Sequence, residues 1–304
     1  PEIGTFCTSL DWVIPAQRAF PPAFEPFVYR LDSGFLCLSR GTSPSLGRYL
    51  APLEAMWGLA SPVVGPDVVG VAVETVRQLE AISDEWDTVW LCGLDESSPL
   101  FRTFVNAFAP RYRMGLGPRT RRYEASLIGG YDGFLGRRSR KFRKALRRAE
   151  RRAQDTALRF ELHDTASGER DGVDLYARII AIERQSWKGR AEVGIQSGAM
   201  HAFYAEMVAR LAARGSLSVC FATYDGEDIG YLFGGSQGDL FRGLQMSFSD
   251  AYEHLSVGNL MQTWIIRRLV AQGITRYDLG SALEYKSRWA EGGRETVALA
   301  IMKA

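Results

Sequence analysis

The sequence predicts a mixed α/β (α+β) protein with a mainly antiparallel sheet, and three observations lead to this class. The chain has 304 residues of which 46% are hydrophobic, enough for a large core and for two domains. Helical and strand-like patterns alternate along it, without the G-x-G-x-x-G turn of dinucleotide-binding folds. Three consecutive strand-like runs with short Asp/Gly connectors are typical of an antiparallel meander: 217–224, 229–236 and 240–247.

The first 130 residues contain strand-like and helical runs but no phosphate loop, catalytic-triad spacing or metal-ligand cluster. Asp32-Ser33 between two apolar runs indicates a hairpin, and Ser98-Pro99 indicates the start of a helix that stops before Pro110. The predicted strands are 27–31, 34–38, 88–92 and 123–128, and the predicted helices are 67–82 and 99–108. We therefore expect this part to be a scaffold or one wall of a cleft.

A strongly cationic helix is predicted at the start of the second half. Residues 137–152 hold ten basic residues and one acid, a net charge of +9 in a chain whose total is +2. One face of this helix is apolar, with Phe142, Ala145, Leu146, Ala149 and Ala153 at helical spacing. The opposite face suits carrier phosphates, transfer RNA or an acidic acyl carrier protein, and Arg140 and Lys144 are the candidate contacts. A merely solvated helix face is the alternative.

Cysteine and histidine spacing argues against a disulfide framework and against a metal centre. The four cysteines are isolated, without a C-x-x-C pair, and the three histidines show no H-E-x-x-H spacing. No apolar run approaches the ~20 residues of a membrane-spanning helix, and residues 1–4 show no signal-peptide pattern. We expect a cytoplasmic protein without a membrane span, a metal or a tightly bound cofactor.

After the cationic helix the pattern predicts further helices and strands up to the C-terminus. They are a strand at 158–162, helices at 171–187, 202–214 and 256–272, a strand at 276–279, a short helix at 284–289 and a strand at 296–302. Glu183 shares a helical face with Ile179 and Trp187, so its carboxyl should be at least partly buried. A raised pKa would suit Glu183 as a general base, and an ion pair with an arginine is the alternative.

A candidate carrier site lies where a helix opens after a strand, at Ser256, Val257, Gly258, Asn259 and Leu260. A helix N-terminus offers unpaired N–H groups and a partial positive charge. Gly258 would let an anion approach the backbone, and Ser256 could cap the helix. This predicts a seat for a pyrophosphate, with an ordinary capped helix as the alternative.

Candidate catalytic residues follow the next strand. Asp278 lies at its end, and Tyr285 and Lys286 come a few residues later. Lys286 could stabilise an oxyanion or hold a phosphate, and Tyr285 could protonate a departing group. Alternatively, Tyr285 packs on the core while Lys286 is solvated. The catalytic candidates are thus Glu183, Asp278, Tyr285 and Lys286, and Trp187 and Gln245 join Arg140 and Lys144 as candidates for substrate contacts.

Taken in order, these segments resemble one family. The motifs are Ser139-Arg140-Lys141-Phe142-Arg143-Lys144, Glu183 with Ser186-Trp187-Lys188, Ser256-x-Gly258-Asn259-Leu260, Asp278-Leu279-Gly280 and Tyr285-Lys286-x-x-Trp289. They are similar to the bacterial GNAT proteins known as CelD-like (cellulose-biosynthesis-protein-like) acetyltransferases. Those are relatives of the Fem-type peptidyltransferases, which add amino acids from aminoacyl-tRNA. The resemblance covers about 137–290 and is looser before residue 130.

The resemblance implies a GNAT fold at 131–304, preceded by a degenerate GNAT-like or accessory α/β domain at 1–130, since Fem-type proteins carry two GNAT-like halves. It also implies a carrier site at 256–260 and a donor contact by Lys286. The Arg/Gln-x-x-Gly-x-Gly/Ala pyrophosphate motif of ordinary GNAT enzymes is absent, with only Gly258 near its place.

The expected function is therefore an N-acyltransferase that moves an acyl group from acyl-CoA to an amine of a small molecule or peptide by direct attack. Aminoacyl-tRNA and an acyl carrier protein are the alternative donors. A GNAT-fold protein that binds a partner without catalysis is the alternative outside the enzymes.

Overall fold

The computed structural model describes residues 5–20, 25–165 and 172–303. The chain forms two compact units. The first comprises Pro1–Arg121 and Glu295–Ala304, and the second comprises Arg122–Arg294. Strands and helices occur in both units, so the predicted mixed α/β class is confirmed. The predicted boundary between residues 130 and 131 stays a prediction.

The first unit contains four helices and a set of mostly antiparallel strands among its described residues. In chain order they are α1 (Thr5–Thr8), α2 (Leu10–Ala19), β1 (Glu25–Arg30), β2 (Phe35–Ser43), β3 (Gly47–Pro52), β4 (Val63–Val64), α3 (Val68–Ala81), β5 (Thr88–Leu94) and α4 (Pro99–Phe108). The larger part of β6 (Arg113–Ser126) and the end of β12 (Gly292–Met302) complete it.

The strands of the first unit form an antiparallel meander that is followed by a parallel pair. β1 pairs with β2, and β2 pairs with β3, which confirms the predicted hairpin at 27–38. β3 then pairs with β5 in parallel, and β12 lies antiparallel to β5. Two of its helices begin where a polar side chain satisfies free N–H groups: Asp67 accepts from Val69 and Gly70, and Ser98 accepts from Phe101.

The second unit also contains an antiparallel meander that is followed by a parallel pair of strands. It contains α5 (Gly130–Gly136), α6 (Arg140–Gln154), β7 (Leu158–Asp164), α7 (Gly172–Gln185), α8 (Trp187–Arg190), α9 (Gly198–Ala213), β8 (Leu217–Tyr224), β9 (Glu227–Gln237), β10 (Leu240–Phe248), α10 (Val257–Ala271) and β11 (Arg276–Ser281). β7, β8, β9 and β10 pair antiparallel, which confirms the predicted meander. β11 pairs in parallel with β10 and antiparallel with β6.

One predicted helix of the second unit is two helices. The prediction placed 171–187 on a single helix, but α7 ends at Gln185 and α8 starts at Trp187. Ser186 is extended between them, and its Oγ accepts from Gly189 N at 3.2 Å. Trp187 therefore does not continue the face that carries Glu183. The predicted start at residue 171 lies outside the described residues.

In the second unit a cavity forms where the short parallel pairing of β10 and β11 ends. β10 and β11 are paired only at Leu240↔Arg276, Phe241↔Tyr277 and Arg242↔Asp278. A register shift between Gly243 and Gln245 follows in β10. Beyond these pairs the two strands separate, and their side chains line an open space. Among the described residues, no helix is long and apolar enough to span a membrane.

Candidate active site

The space between the separating strands is a cavity of about 290 Å³. Most of its lining comes from β10, β11, the segment before α9 and the 3-10 turn Glu284–Arg288, with single residues from α8, α9, β9 and α10. The polar side chains that line it are Lys188, Gln245, Gln262, Tyr277, Tyr285 and Lys286. Three of the candidate residues, Gln245, Tyr285 and Lys286, are thus brought together here.

Lys286 places an ammonium group at the end of β11. Its Nζ donates to the carbonyl of Ser281 at 3.2 Å and lies 5.9 Å from the centre of the Tyr285 ring. Burial, together with the Arg242 guanidinium and the more distant Lys188, lowers the pKa of Lys286 to about 8, although the Asp278 carboxylate works in the opposite direction. A lysine with such a pKa is largely protonated at pH 7, and it can also give up its proton.

Asp278 lies beneath this lysine and does not line the cavity. Its Oδ1 accepts from Arg242 Nη1 at 2.5 Å and from Gly280 N at 2.8 Å, and its Oδ2 accepts from Arg122 Nη1 at 3.2 Å. Burial alone would raise the pKa of Asp278, but the two guanidiniums and the Gly280 N–H outweigh it and hold the pKa below its ordinary range. The carboxylate is therefore ionised and fully engaged, which suits a positioning role.

Gly280 is the residue that lets Lys286 approach Arg242 and Asp278. It has φ +86°, and a Cβ there would lie 3.3 Å from Lys286 Nζ and 3.4 Å from Arg242 Nη2. Both the backbone conformation and the space around it thus favour glycine. The predicted Asp278-Leu279-Gly280 motif supplies both the carboxylate and this close approach.

The opposite wall holds a second lysine, which sequence reasoning had not proposed as a site residue. Lys188 Nζ donates to Gln245 Oε1 at 3.1 Å and to the carbonyl of Met246 at 2.9 Å. Gln245 Nε2 in turn donates to the hydroxyl of Tyr204 at 3.0 Å. Burial lowers the pKa of Lys188, and the Glu183 carboxylate partly offsets this. The signal was present in the Ser186-Trp187-Lys188 motif.

Glu183 is completely buried and does not line the cavity. Its carboxylate accepts from the hydroxyl of Tyr231 at 2.9 Å, from Ser186 Oγ at 3.3 Å and from Ile195 N at 3.3 Å. Among the residues that the structure describes, these hydrogen-bond partners are neutral and no arginine forms an ion pair with Glu183. The hydrogen bonds of Glu183 link α7 to β9 and to the segment before α9. They thereby stabilise the side of the cavity on which Lys188 lies.

Trp187, Arg140 and Lys144 lie outside the cavity. Trp187 is 53% exposed at the start of α8. Arg140 and Lys144 are exposed on α6. Their roles as substrate contacts stay predictions, and any such role would involve a surface and not the cavity.

The start of α10 differs from the predicted capped helix. Ser256 is left-handed, with φ +59°, and makes no capping hydrogen bond, so the predicted serine cap is wrong. Its Oγ instead accepts from Arg152 Nη2 at 3.3 Å, which brings a guanidinium to this helix start. Val257, Gly258 and Leu260 are buried, whereas Asn259 is exposed. A Cβ on Gly258 would lie 3.1 Å from a ring carbon of Phe248, so packing already favours this glycine.

The cationic helix presents one face to the core and the other to solvent. Leu146 and Ala149 are buried, and Phe142 packs edge-on against Trp289 with ring centres 4.9 Å apart. Arg137 and Arg138 pair with Glu291. Within the described part of the chain, six exposed cations of this helix form neither an ion pair nor a side-chain hydrogen bond: Arg140, Lys141, Lys144, Arg147, Arg148 and Arg151.

Comparisons with known proteins agree with this fold. Residues 140–287 match the family model "Acetyltransferase (GNAT) domain". No curated protein matches the chain in sequence.

Three solved structures share the fold at low sequence identity. A conserved protein of unknown function from Bacteroides thetaiotaomicron has a TM-score of 0.66 at 10% identity over 99% of this chain and 93% of that one. FemX has a TM-score of 0.64 at 10% identity, over 97% and 92% of the two chains. The C-terminal domain of a putative lysylphosphatidylglycerol synthetase from Agrobacterium fabrum has a TM-score of 0.55 at 15% identity, over 95% and 90%.

At these identities the structural similarities show the fold alone. They cover both units and agree with the GNAT match in the second. The CelD-like assignment stays a prediction. Residues 140–287 are thus similar to GNAT acetyltransferase domains, and this match supports a transferase.

Proposed function

We propose that the second unit transfers an aminoacyl group from a charged tRNA to the amine of a small molecule or peptide. The observation that carries the proposal is the exposed face of α6, where six cations form no ion pair with described residues. The cavity at the end of β10 and β11 supplies the reaction site. This donor was the alternative at the sequence level, and the surface of α6 favours it over acyl-CoA.

The length of the cationic face is the reason for this preference. Arg140, Lys144, Arg147 and Arg151 follow each other at spacings of four, three and four residues, which places them on one side of the helix. At 1.5 Å per residue the row is roughly 16 Å long. An RNA backbone presents phosphates in such a row, whereas coenzyme A carries its phosphates near one end of the molecule.

The cavity provides the groups that acyl transfer to an amine needs. The neutral amine attacks the ester carbonyl carbon, a C–N bond forms, and the carbonyl oxygen takes the electron pair. The Lys286 ammonium stabilises this oxyanion in surroundings that exclude part of the water. The C–O bond to the ribose then breaks and the ribose oxygen leaves with a proton supplied by Tyr285 or Lys286. The proton that the new amide nitrogen loses returns to that residue through solvent, so no net proton is gained or lost.

Lys188 and Gln245 orient the substrate in this scheme. Gln245 is fixed by Lys188 on one side and Tyr204 on the other, so it can present an amide to an acceptor without a large loss of side-chain entropy. Asp278 and Glu183 act as positioning residues, the first under Lys286 and the second behind Lys188.

The test is binding and transfer with charged tRNA. The protein should bind tRNA in a filter assay, and the affinity should fall steeply with salt. Reversing two charges, Lys144→Glu with Arg147→Glu, should weaken binding at least about tenfold and lower the salt slope by about 2. Arg184→Glu, on the exposed side of α7, is the matched control and should leave binding unchanged.

Transfer itself is measured with tRNA that carries a radiolabelled amino acid and a mixture of amine acceptors. Lys286→Ala should lower transfer by roughly 10²–10³-fold, as for loss of an oxyanion donor, while RNA affinity stays the same. Absence of tRNA binding at low salt would refute the proposed donor. Binding of an acidic carrier protein to the same face, with no RNA binding, would favour an acyl carrier protein instead.

Acyl-CoA is the second candidate, because one observation favours a compact phosphate group at the start of α10. Arg152 lies beside the N-terminus of this helix through its contact with Ser256, and no acidic residue occurs in the first turn. Arg152→Ala should then weaken CoA binding in calorimetry. A Gly258→Glu variant would be a poor test, because its side chain would collide with Phe248 whether or not CoA binds.

A further inference from the structure

The first unit contains a cavity of about 600 Å³ whose lining is apolar and aromatic. Four aromatic residues contribute to it, Phe20, Tyr49, Trp57 and Trp90, together with aliphatic side chains and Met56. None of the described residues that line it is charged. Its size falls in the range of small-molecule sites.

The position of this cavity corresponds to that of the candidate active site in the second unit. β1, β2 and β3 form an antiparallel meander, and β5 pairs in parallel with β3 after α3. β8, β9, β10 and β11 have the same arrangement, with α10 as the connection. In the first unit the parallel pair is limited to Tyr49↔Thr88 and Leu50↔Val89.

The strands separate after these pairs, and the cavity opens at that point. Ala51 and Pro52 of β3 and Trp90 and Cys92 of β5 line it. In each unit a glycine in the left-handed region lies one residue before the end of the second strand of the pair, Gly93 with φ +64° and Gly280 with φ +86°. A short parallel pair with a left-handed glycine is therefore found beside a cavity at the same topological position in both units.

The chemistry of the two cavities differs. The second unit offers Lys188 and Lys286, whereas the first offers aromatic rings and no cation. Burial, with the nearby Glu54 carboxylate, raises the pKa of the Cys92 thiol to about 12, so this group stays neutral. Glu54 itself is turned away from the cavity and accepts the N–H groups of Trp57, Leu59 and Ala60. The described lining of this cavity therefore offers no positive charge to pair with a phosphate or a carboxylate.

We propose that this cavity is a second binding site, which takes an uncharged apolar group, either a hydrocarbon chain or an aromatic ring. Rings of Trp57 and Trp90 would contact the ligand directly. The polar residues of the lining are Gln17, Tyr49 and Thr120, and the Thr120 hydroxyl donates its proton to the carbonyl of Trp57 at 3.2 Å. Since most of the lining is apolar, recognition depends mainly on apolar contact and shape. The proposal is independent of the transfer reaction proposed for the second unit.

Binding is measured with N-phenyl-1-naphthylamine, a neutral dye that fluoresces when it leaves water. The dye should bind with one site per chain, and the emission of tryptophan should be quenched because Trp57 and Trp90 line the site. Two displacement arms identify the class of group, 1-dodecanol for a chain and indole for a ring. Inorganic pyrophosphate should not displace the dye.

Two variants at exposed positions of the lining test whether the dye binds in this cavity. Met56 is 57% exposed, so Met56→Glu should not affect folding, yet it brings a carboxylate to the cavity. We expect at least about tenfold weaker dye binding, because the carboxylate must be desolvated. Ala55→Trp should weaken binding by occupying the space. Val69→Glu, a 54% exposed position outside the lining, is the matched control.

Absence of saturable dye binding would overturn the proposal. So would equal binding by wild type, Met56→Glu and Ala55→Trp, or displacement by pyrophosphate. Lys286→Ala should leave dye binding unchanged, so a failure of the transfer assay and a failure of this site can be told apart.

Discussion

Replacing Asp278 by asparagine tests whether one buried carboxylate holds two buried arginines in place. Arg242 approaches it at 2.5 Å and Arg122 at 3.2 Å, and the three side chains are at most 7% exposed. The amide keeps the shape of the carboxylate but carries no charge. Two guanidiniums are then left close together in a region of low dielectric constant without that counter-charge.

The expected loss in the free energy of unfolding is about 3–5 kcal/mol, as for other buried ion pairs from which one partner is removed. Asp239→Asn is the control, because Asp239 pairs with Arg276 at 2.9 Å on the surface, with side chains 51% and 34% exposed. That change should cost less than about 1 kcal/mol. Urea unfolding at pH 7, followed by tryptophan fluorescence, measures both. A loss below about 1 kcal/mol for Asp278→Asn would refute the reasoning.

The same variant makes a prediction about pH. The pKa of Asp278 in the folded protein lies below its ordinary range, so its stabilisation is complete above the ordinary pKa and is lost as the pH falls through the folded pKa. The difference in stability between wild type and Asp278→Asn should be constant from pH 7 to about 4.5 and shrink below about 3.9. A difference that grows on acidification would contradict the assignment.

Three further predictions concern the cavity wall. Transfer activity should decline as the pH rises above about 8, where Lys286 loses its proton. Lys286→Arg should shift this decline to higher pH, and a pH–rate profile at saturating donor measures both effects. Gly280→Ala should lower both stability and activity, whereas Gly273→Ala, also at positive φ but with no atom within 4 Å of the new Cβ, should lower stability only. Tyr231→Phe removes a hydrogen bond from buried Glu183 and should cost about 1–3 kcal/mol in unfolding experiments without a change in the pH–rate profile.

The regular elements could be predicted because their signals are local. The meander at 217–247 follows from short Asp/Gly connectors, and the helix that begins after Asp67 follows from a polar cap before an apolar pattern. The buried face of α6 could likewise be read from the spacing of Leu146 and Ala149. Each of these depends on residues within about one or two turns of one another.

What could not be predicted depends on contacts between distant residues. The break before Trp187 arises because Ser186 bridges to Ser249, more than sixty residues away. Arg122 and Arg242 reach Asp278 from two other strands, so neither could be assigned to this site from one sequence. Lys188 belonged to a motif already noticed, but its position in the cavity follows from its contacts with Gln245 and Met246 on β10.

Under the two proposals, a similar arrangement of strands serves different ligands in the two units. In each unit a parallel pair of strands ends after two or three residue pairs, and a left-handed glycine lets the second strand turn away. This geometry depends on the backbone and not on the side chains that line the space. Lysines make the space in the second unit suitable for a polar reaction, whereas Trp57 and Trp90 make the space in the first suitable for an apolar group. Under the two proposals a few lining residues set the function of each unit, and single substitutions there should alter binding without changing the fold.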